Sequence, residues 1–197
     1  MTVTGNVYTD PERLQAVIDD LVGTPVLVAD TRDAERQLEA IPWVEDATVR
    51  VHFPHAASIE IRERQAVATY QGPDGLFRVL DRTGRVLDVI EGYPFAYVLI
   101  TGPDPVDLDP AEVAPQGYQA AAELARNLTG TVRGNVERLE VTANGSRLVM
   151  WLDDGSEVYF GEARDLFAKL VRLETVLTQN PDREPGQIDI STSQTTL

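Results

Sequence analysis

The sequence predicts an α+β protein built from two modules. Three observations carry this prediction. An early block sets two amphipathic helices between strands of strict alternation. After Tyr70 the pattern changes to short strands separated by turn residues. That second block then carries two further helices among its strands. The expected organisation is a β-α-α-β-β module over about residues 1–70. A mixed, mostly antiparallel β domain with two helices follows over about 71–191, and then a polar tail at 192–197.

The first module reads in order. Thr2–Val7 is a strand interrupted by Gly5-Asn6. Asp10 is a good N-cap with Pro11 in the first helical position, and Leu14, Val17, Ile18 and Leu21 form one apolar stripe. Gly23 and Pro25 end that helix, and Val26–Val28 crosses to a second one over Thr31–Ala40. Its inner face is Ala34, Leu38 and Ile41, and Pro42 stops it. Val44, Ala47, Val49 and Val51 alternate into a turn at Phe53-Pro54-His55. Ile59 and Ile61 alternate with Glu60 and Arg62 on the return.

In the second module, Phe77–Leu80 and Arg85–Ile90 flank the turn signal Asp81-Arg-Thr-Gly84, and Tyr97–Thr101 is a further strand. Residues 102–115 hold four prolines and four acids and read as a loop. A helix over Gln116–Leu128 points Tyr118, Ala121, Leu124 and Ala125 inward. The segment Gly130–Gly134 reads as a connector. Val136–Thr142, Arg147–Leu152 and Glu157–Phe160 are strands joined by Asn144-Gly145 and Asp154-Gly155, both favoured hairpin turns. A helix over about Glu162–Leu177, a polar loop over Gln179–Gly186 and a strand at Gln187–Ser191 complete the domain.

Composition excludes several functions. With 17 basic against 32 acidic residues the net charge is −15, and there is no cysteine. Nucleic acid is a poor ligand for such a surface. Disulfide frameworks, zinc ribbons and thiol catalysis require cysteine. No apolar run approaches the length of a membrane span, and the first ten residues lack the pattern of a signal peptide. Lys169 is the only lysine beside 16 arginines, the codon bias of a GC-rich bacterial genome.

Candidate chemistry is sparse. His52 and His55 are the only histidines, and their spacing fits no metal template. Asp153-Asp154 could pose as a carboxylate pair, but neighbouring strand residues point to opposite faces and Asp154-Gly155 is a turn signature, so it reads as a hairpin turn. Trp43 and Trp151 read as core residues. No nucleophile elbow, phosphate loop or calcium loop is present, so neither catalytic residues nor metal ligands nor a cofactor site are assigned. These features favour a binding or scaffold protein over an enzyme. An open strand edge is a natural docking site in such a fold.

The ordered set Ile41-Pro-Trp-Val44, Ala47-Thr-Val49, Phe53-Pro54 and Ile59-Glu-Ile61-Arg-Glu63-Arg64 resembles a POTRA domain. More narrowly it is similar to the extracytoplasmic part of the FtsQ/DivIB family of bacterial cell-division proteins. Val3-Thr-Gly5-Asn6 fits the opening strand. Leu80-Asp81-Arg-Thr-Gly84-Arg-Val86, Leu152-Asp-Asp154-Gly155, Gly161, Lys169, Leu173 and Ile188-Asp189-Ile190 follow in family order. Ala66 stands where the family has proline. With the arginine bias, the resemblance implies an actinobacterial source.

The resemblance implies a non-enzymatic divisome scaffold. It would be a single-pass cell-membrane protein whose domain lies on the extracytoplasmic side at the septum. It would bind FtsB- and FtsL-type partners and link septal assembly to peptidoglycan synthesis. Other divisome components would meet the POTRA module. Two other readings stay open: a POTRA module of an outer-membrane assembly or secretion protein, and an acidic secreted enzyme. The resemblance also places the partner site at the last strand, on Ile188, Asp189, Ile190, Ser191, Thr192 and Ser193, where a partner strand would add to the sheet. Ile188 and Ile190 share one face there, and the remaining side chains are small or polar. Thr192 stands where one member of the family has an aromatic residue. A buried closing strand with no partner is the competing reading of this segment.

Overall fold

The computed structural model describes residues 1–22, 30–52, 56–142, 145 and 147–192. The chain divides into two compact units, Met1–Gln65 and Ala66–Leu197.

The first unit contains β1 (Thr2–Thr4), α1 (Pro11–Val22), α2 (Thr31–Ala40), β2 (Val44–His52) and β3 (Ala56–Glu63). This is the expected β-α-α-β-β order. Asp10 caps α1 by accepting from the N–H groups of Glu12 and Arg13, and Asp30 caps α2 through Asp33 N–H. The sheet runs β1-β3-β2, with β1 parallel and β2 antiparallel to β3. Leu14, Val17 and Leu38 from the helices meet Val44, Val49, Ile59 and Ile61 in one apolar cluster. Each such side chain contributes about 1.5–3 kcal/mol by leaving water.

The opening strand is shorter than its sequence suggests. It stops at Thr4 because Gly5 adopts φ +88°, and a Cβ there would run into the Ile61 carbonyl. Beyond it, one oxygen of Glu63 accepts from the N–H groups of Val7, Tyr8 and Thr9 and from the Thr9 hydroxyl, at 2.6–2.8 Å. Tyr8 stacks on Trp43 with ring centroids 4.8 Å apart. Trp43 is therefore half-buried under an exposed tyrosine and is not a core residue. The crossing at Val26–Val28 and the Phe53-Pro54-His55 turn lie outside the described residues.

The second unit contains β4 (Ala66–Gln71), β5 (Phe77–Asp81), β6 (Val86–Ile90), β7 (Val98–Thr101), α3 (Gln116–Asn127), α4 (Gly130–Arg133) and β8 (Val136–Val141). β9 (Arg147–Leu152), β10 (Glu157–Glu162), α5 (Leu166–Gln179) and β11 (Gln187–Asp189) follow. Its eight strands form a mixed sheet in the order β11-β10-β9-β8-β7-β4-β5-β6. The β4–β7, β7–β8 and β10–β11 pairs are parallel and the other four antiparallel. Leu139, Met150, Phe160, Ile188 and Ile190 share a core with Tyr118, Leu124, Leu170 and Leu173 from α3 and α5.

Several elements differ from the sequence reading. β4 occupies what reads as a junction; Val67, Ala68, Thr69 and Tyr70 are all buried, so no polar alternation marks it. The Gly130–Gly134 connector forms the single helical turn α4, with Val132 fully buried. Finally, α5 begins at Leu166, not Glu162, because β10 continues through a bulge at Tyr159/Gly161 and Asp165 turns left-handed at φ 52°.

Candidate functional site

The last strand lies at one end of the eight-stranded sheet. It runs parallel to β10, with Glu157 opposite Gln187, Val158 opposite Ile188 and Tyr159 opposite Asp189. The Glu157 N–H donates to the Gly186 carbonyl (3.0 Å), and the Ile190 N–H donates to the Tyr159 carbonyl (3.1 Å). In a parallel ladder this pattern turns the backbone groups of Ile188 toward β10. By alternation it turns the N–H and C=O groups of Gln187 and Asp189 away from it. The side chains alternate in the perpendicular direction. Ile188 (1% exposed) and Ile190 (0%) enter the core, while Gln187 and Asp189 are exposed.

Several contacts fix the start of this strand. The Arg183 guanidinium donates to the Ser156 hydroxyl (2.6 Å) and to the Asp154 carboxylate (2.5 Å), and the Gly186 N–H reaches the same hydroxyl at 3.3 Å. Burial works against the Asp154 charge. Hydrogen bonds from Ser156 and the charge of Arg183 outweigh it and hold this carboxyl below its ordinary pKa. The loop before β11 is thereby tied to the β9–β10 turn, which itself follows the predicted Asp154-Gly155 chemistry, with Gly155 at φ +87°.

The end of the strand is held from three sides. Arg172 of α5 donates to the Ile190 carbonyl at 3.0 Å. The Ser191 N–H donates to the Asp189 carboxylate at 2.8 Å, and the bonds from Ser191 hold the Asp189 pKa below its ordinary value. Gly161, at φ +67°, leaves room for Ser191, whose Cβ lies only 2.9 Å from where a Gly161 Cβ would stand. These contacts end the strand at Asp189, two residues short of the Ser191 expected from sequence. Ser191 and Thr192 follow outside it, and Ser193 lies outside the described residues.

Lys169 supports the same corner. It is 5% exposed, and its ammonium donates to the carbonyls of Phe160 and Glu162, both at 2.7 Å. Burial, with a smaller push from Arg172, lowers its pKa. A groove of about 550 Å³ opens beside it, lined by Arg147, Tyr159, Lys169, Asp189 and Ser191 among others. A larger groove of about 730 Å³ runs along α3 past Arg82 and Arg126; no residue of β11 lines it.

The site as read from sequence thus comes together only in part. Ile188 and Asp189 lie in the terminal strand, and Ile190 follows it with its side chain in the core. Arg172, Gly161, Ser156 and Arg183 were not singled out for it, although they position it. Lys169 carried a readable signal, being a lone lysine at an inward position of an apolar helix stripe. The exposed His52 ring lies 3.1 Å from the Ser58 hydroxyl, and His55 lies outside the described residues. Among the described residues no group of three His, Cys, Asp or Glu is placed to hold a metal ion. Trp151 is half-buried on the sheet face opposite Met150 and Leu152, donating to Glu140 at 2.8 Å beneath the Arg138 guanidinium.

Both units match known families. Residues 1–64 match the POTRA domain, FtsQ-type, and residues 68–191 match Cell division protein FtsQ/DivIB, C-terminal. Together they define a cell-division protein of POTRA-plus-β-domain architecture. The chain belongs to the FtsQ/DivIB family.

Relatives agree. Cell division protein FtsQ of Corynebacterium glutamicum is 25% identical over 92% of this chain and 78% of its own length. FtsQ of Rhizobium radiobacter is 30% identical over 88% of this chain and 79% of the relative. For FtsQ of Agrobacterium fabrum the figures are 29%, 99% and 59%, so this chain spans little more than half of that relative. A solved structure, the major extracytoplasmic domain of the cell-division protein DivIB from Geobacillus stearothermophilus, aligns with TM-score 0.41. Its identity is 16%, and the alignment covers 62% of this chain and 98% of that one. Among the described residues no helix is long and apolar enough to cross a membrane.

Proposed function

We propose that this chain is a non-enzymatic scaffold of the bacterial divisome that holds a partner by strand addition at β11. The partners are FtsB- and FtsL-type proteins, met outside the cytoplasmic membrane, and the complex links septal assembly to peptidoglycan synthesis. The protein acts at the cell membrane, on its extracytoplasmic side at the septum. The POTRA module, which ends at Gln65 and not near residue 70, takes other divisome components, and the β domain that opens with β4 takes the strand. The partner lies along Ile188–Ser193.

The observation that carries this reading is the outward backbone of Gln187 and Asp189 on a terminal strand that is otherwise firmly held. Unpaired N–H and C=O groups on such an edge accept a neighbouring strand with little demand on its side chains. Gln187→Pro tests the proposal. Proline removes an outward donor at an edge position where the ring meets no ladder partner. Binding of the recombinant extracytoplasmic segment of the FtsB-type protein from the same genome should weaken by about three- to tenfold, with the thermal midpoint unchanged. Unchanged binding to a folded variant rejects strand addition here.

A further inference from the structure

We propose that Asp189 gates the docking edge: its carboxylate occupies the Ser191 N–H that a partner strand must bond in order to pair beyond Asp189. This rests on the strand-addition reading above and assigns it a control point.

The outward groups of the strand can be counted. Gln187 and Asp189 each present an N–H and a C=O away from β10. The next outward donor by alternation is that of Ser191, and it is bonded to Asp189 Oδ1 at 2.8 Å. An Asp side chain bonding an N–H two residues on offers the backbone an alternative to a sheet ladder. The closed edge is therefore two outward residues deep.

The neighbourhood holds Ser191 in reach of the carboxylate. Arg172 fixes the Ile190 carbonyl, the Tyr159 carbonyl fixes the Ile190 N–H, and the bare Gly161 α-carbon admits the Ser191 side chain. The Ser191 end of the Asp189–Ser191 contact is thus set by residues anchored in β10 and α5. The carboxylate itself is on the exposed side of the sheet and is free to swing away without disturbing the core. A short extended segment docks on Gln187 and Asp189 with the gate shut. A longer strand must exchange the Asp189–Ser191 bond for one of its own, so the contact opposes its docking.

The prediction has an unusual sign, because removing an edge side chain should strengthen binding. Three variants and one exchange measurement decide it, with the same recombinant FtsB-type segment as probe. Asp189→Ala should bind about three- to tenfold more tightly, the worth of one net hydrogen bond. The Ser191 amide should lose protection from hydrogen exchange in the free variant. Asp189→Asn keeps an acceptor oxygen and should bind within about twofold of the parent. The gate is refuted if Asp189→Ala binds no more tightly, if its Ser191 amide stays protected, or if Asp189→Asn tightens binding as much as alanine does, which would make charge the cause. Gln187→Pro separates this outcome from failure of the underlying reading. If that variant binds like the parent, strand addition itself is wrong; if it weakens while Asp189→Ala does not tighten, only the gate is.

Discussion

The Lys169 ammonium and the Phe160 carbonyl lie 2.7 Å apart at the bulged end of β10, inside the core of the second unit. The same ammonium holds the Glu162 carbonyl. A cation thus binds the two carbonyls that flank Gly161 at the bulge. Lys169→Met keeps the volume but leaves two carbonyls without their donor. We expect a loss of about 2–4 kcal/mol, read as a fall in the urea midpoint. Amide exchange should speed up in β10 and β11 before other strands. A variant as stable as the parent would show that the bulge stands without the cation.

Arg78 is the second buried cation. Its side chain is 4% exposed and donates to the Asp74 carboxylate and to the carbonyls of Leu76 and Leu108, with Asp107 3.4 Å away. The bond from Arg78 is the main reason that the Asp74 pKa falls to about 2. A folded value below the ordinary 3.8 favours the folded state above pH 3.8, and this contribution is lost as pH falls toward 2. Arg78→Met should destabilise the unit by about 3 kcal/mol at neutral pH and flatten the stability curve between pH 4 and 2. Chemical unfolding across that range checks both effects.

Tyr70 predicts the alkaline limb. Its ring is 1% exposed, its hydroxyl donates to the Val106 carbonyl at 2.8 Å, and burial pushes its pKa up to about 12. The unfolded chain releases this proton near pH 10 while the folded chain keeps it. Stability from this group is therefore full below pH 10 and is lost as pH rises through 12. Tyr70→Phe should remove about one proton from the pH dependence in that window, a slope of at most about 1.4 kcal/mol per pH unit. Equal slopes for parent and variant would contradict the assignment.

Glu63 should control the segment ahead of α1. Glu63→Ala removes the acceptor shared by Val7, Tyr8 and Thr9. Thr9 is buried, so the first unit should lose about 1–2 kcal/mol. Because Tyr8 is held over Trp43 by the same bonds, the Trp43 emission maximum should shift to longer wavelength. An unmoved spectrum would mean that the stack holds without Glu63.

The sequence was legible where one face of an element meets water. Asp10-Pro11, the Leu14–Leu21 stripe and the Val44–Val51 alternation gave α1 and β2 because each buries only one side. It was opaque where both sides are covered, as in β4. The place of β7 between β4 and β8 depends on pairings between distant segments, and Val98–Thr101 contains nothing that encodes its neighbours. At the edge, Ile188 and Ile190 were readable from their alternation. Arg172 and Gly161 were not, because their roles arise from α5 and the β10 bulge arriving at the same corner.

The pairing of β1 with β3 has a mechanical meaning. Thr2, Val3 and Thr4 lie beside Ser58, Ile59 and Glu60 in parallel, so the start of β1 and the finish of β3 are at opposite ends of the ladder. Tension applied at Met1 and at Gln65 pulls the two strands lengthwise past each other. Their hydrogen bonds, lying across that direction, share the load together and do not open one by one. A chain stretched through this unit meets its resistance at the first three residues of the sheet, before either helix is loaded.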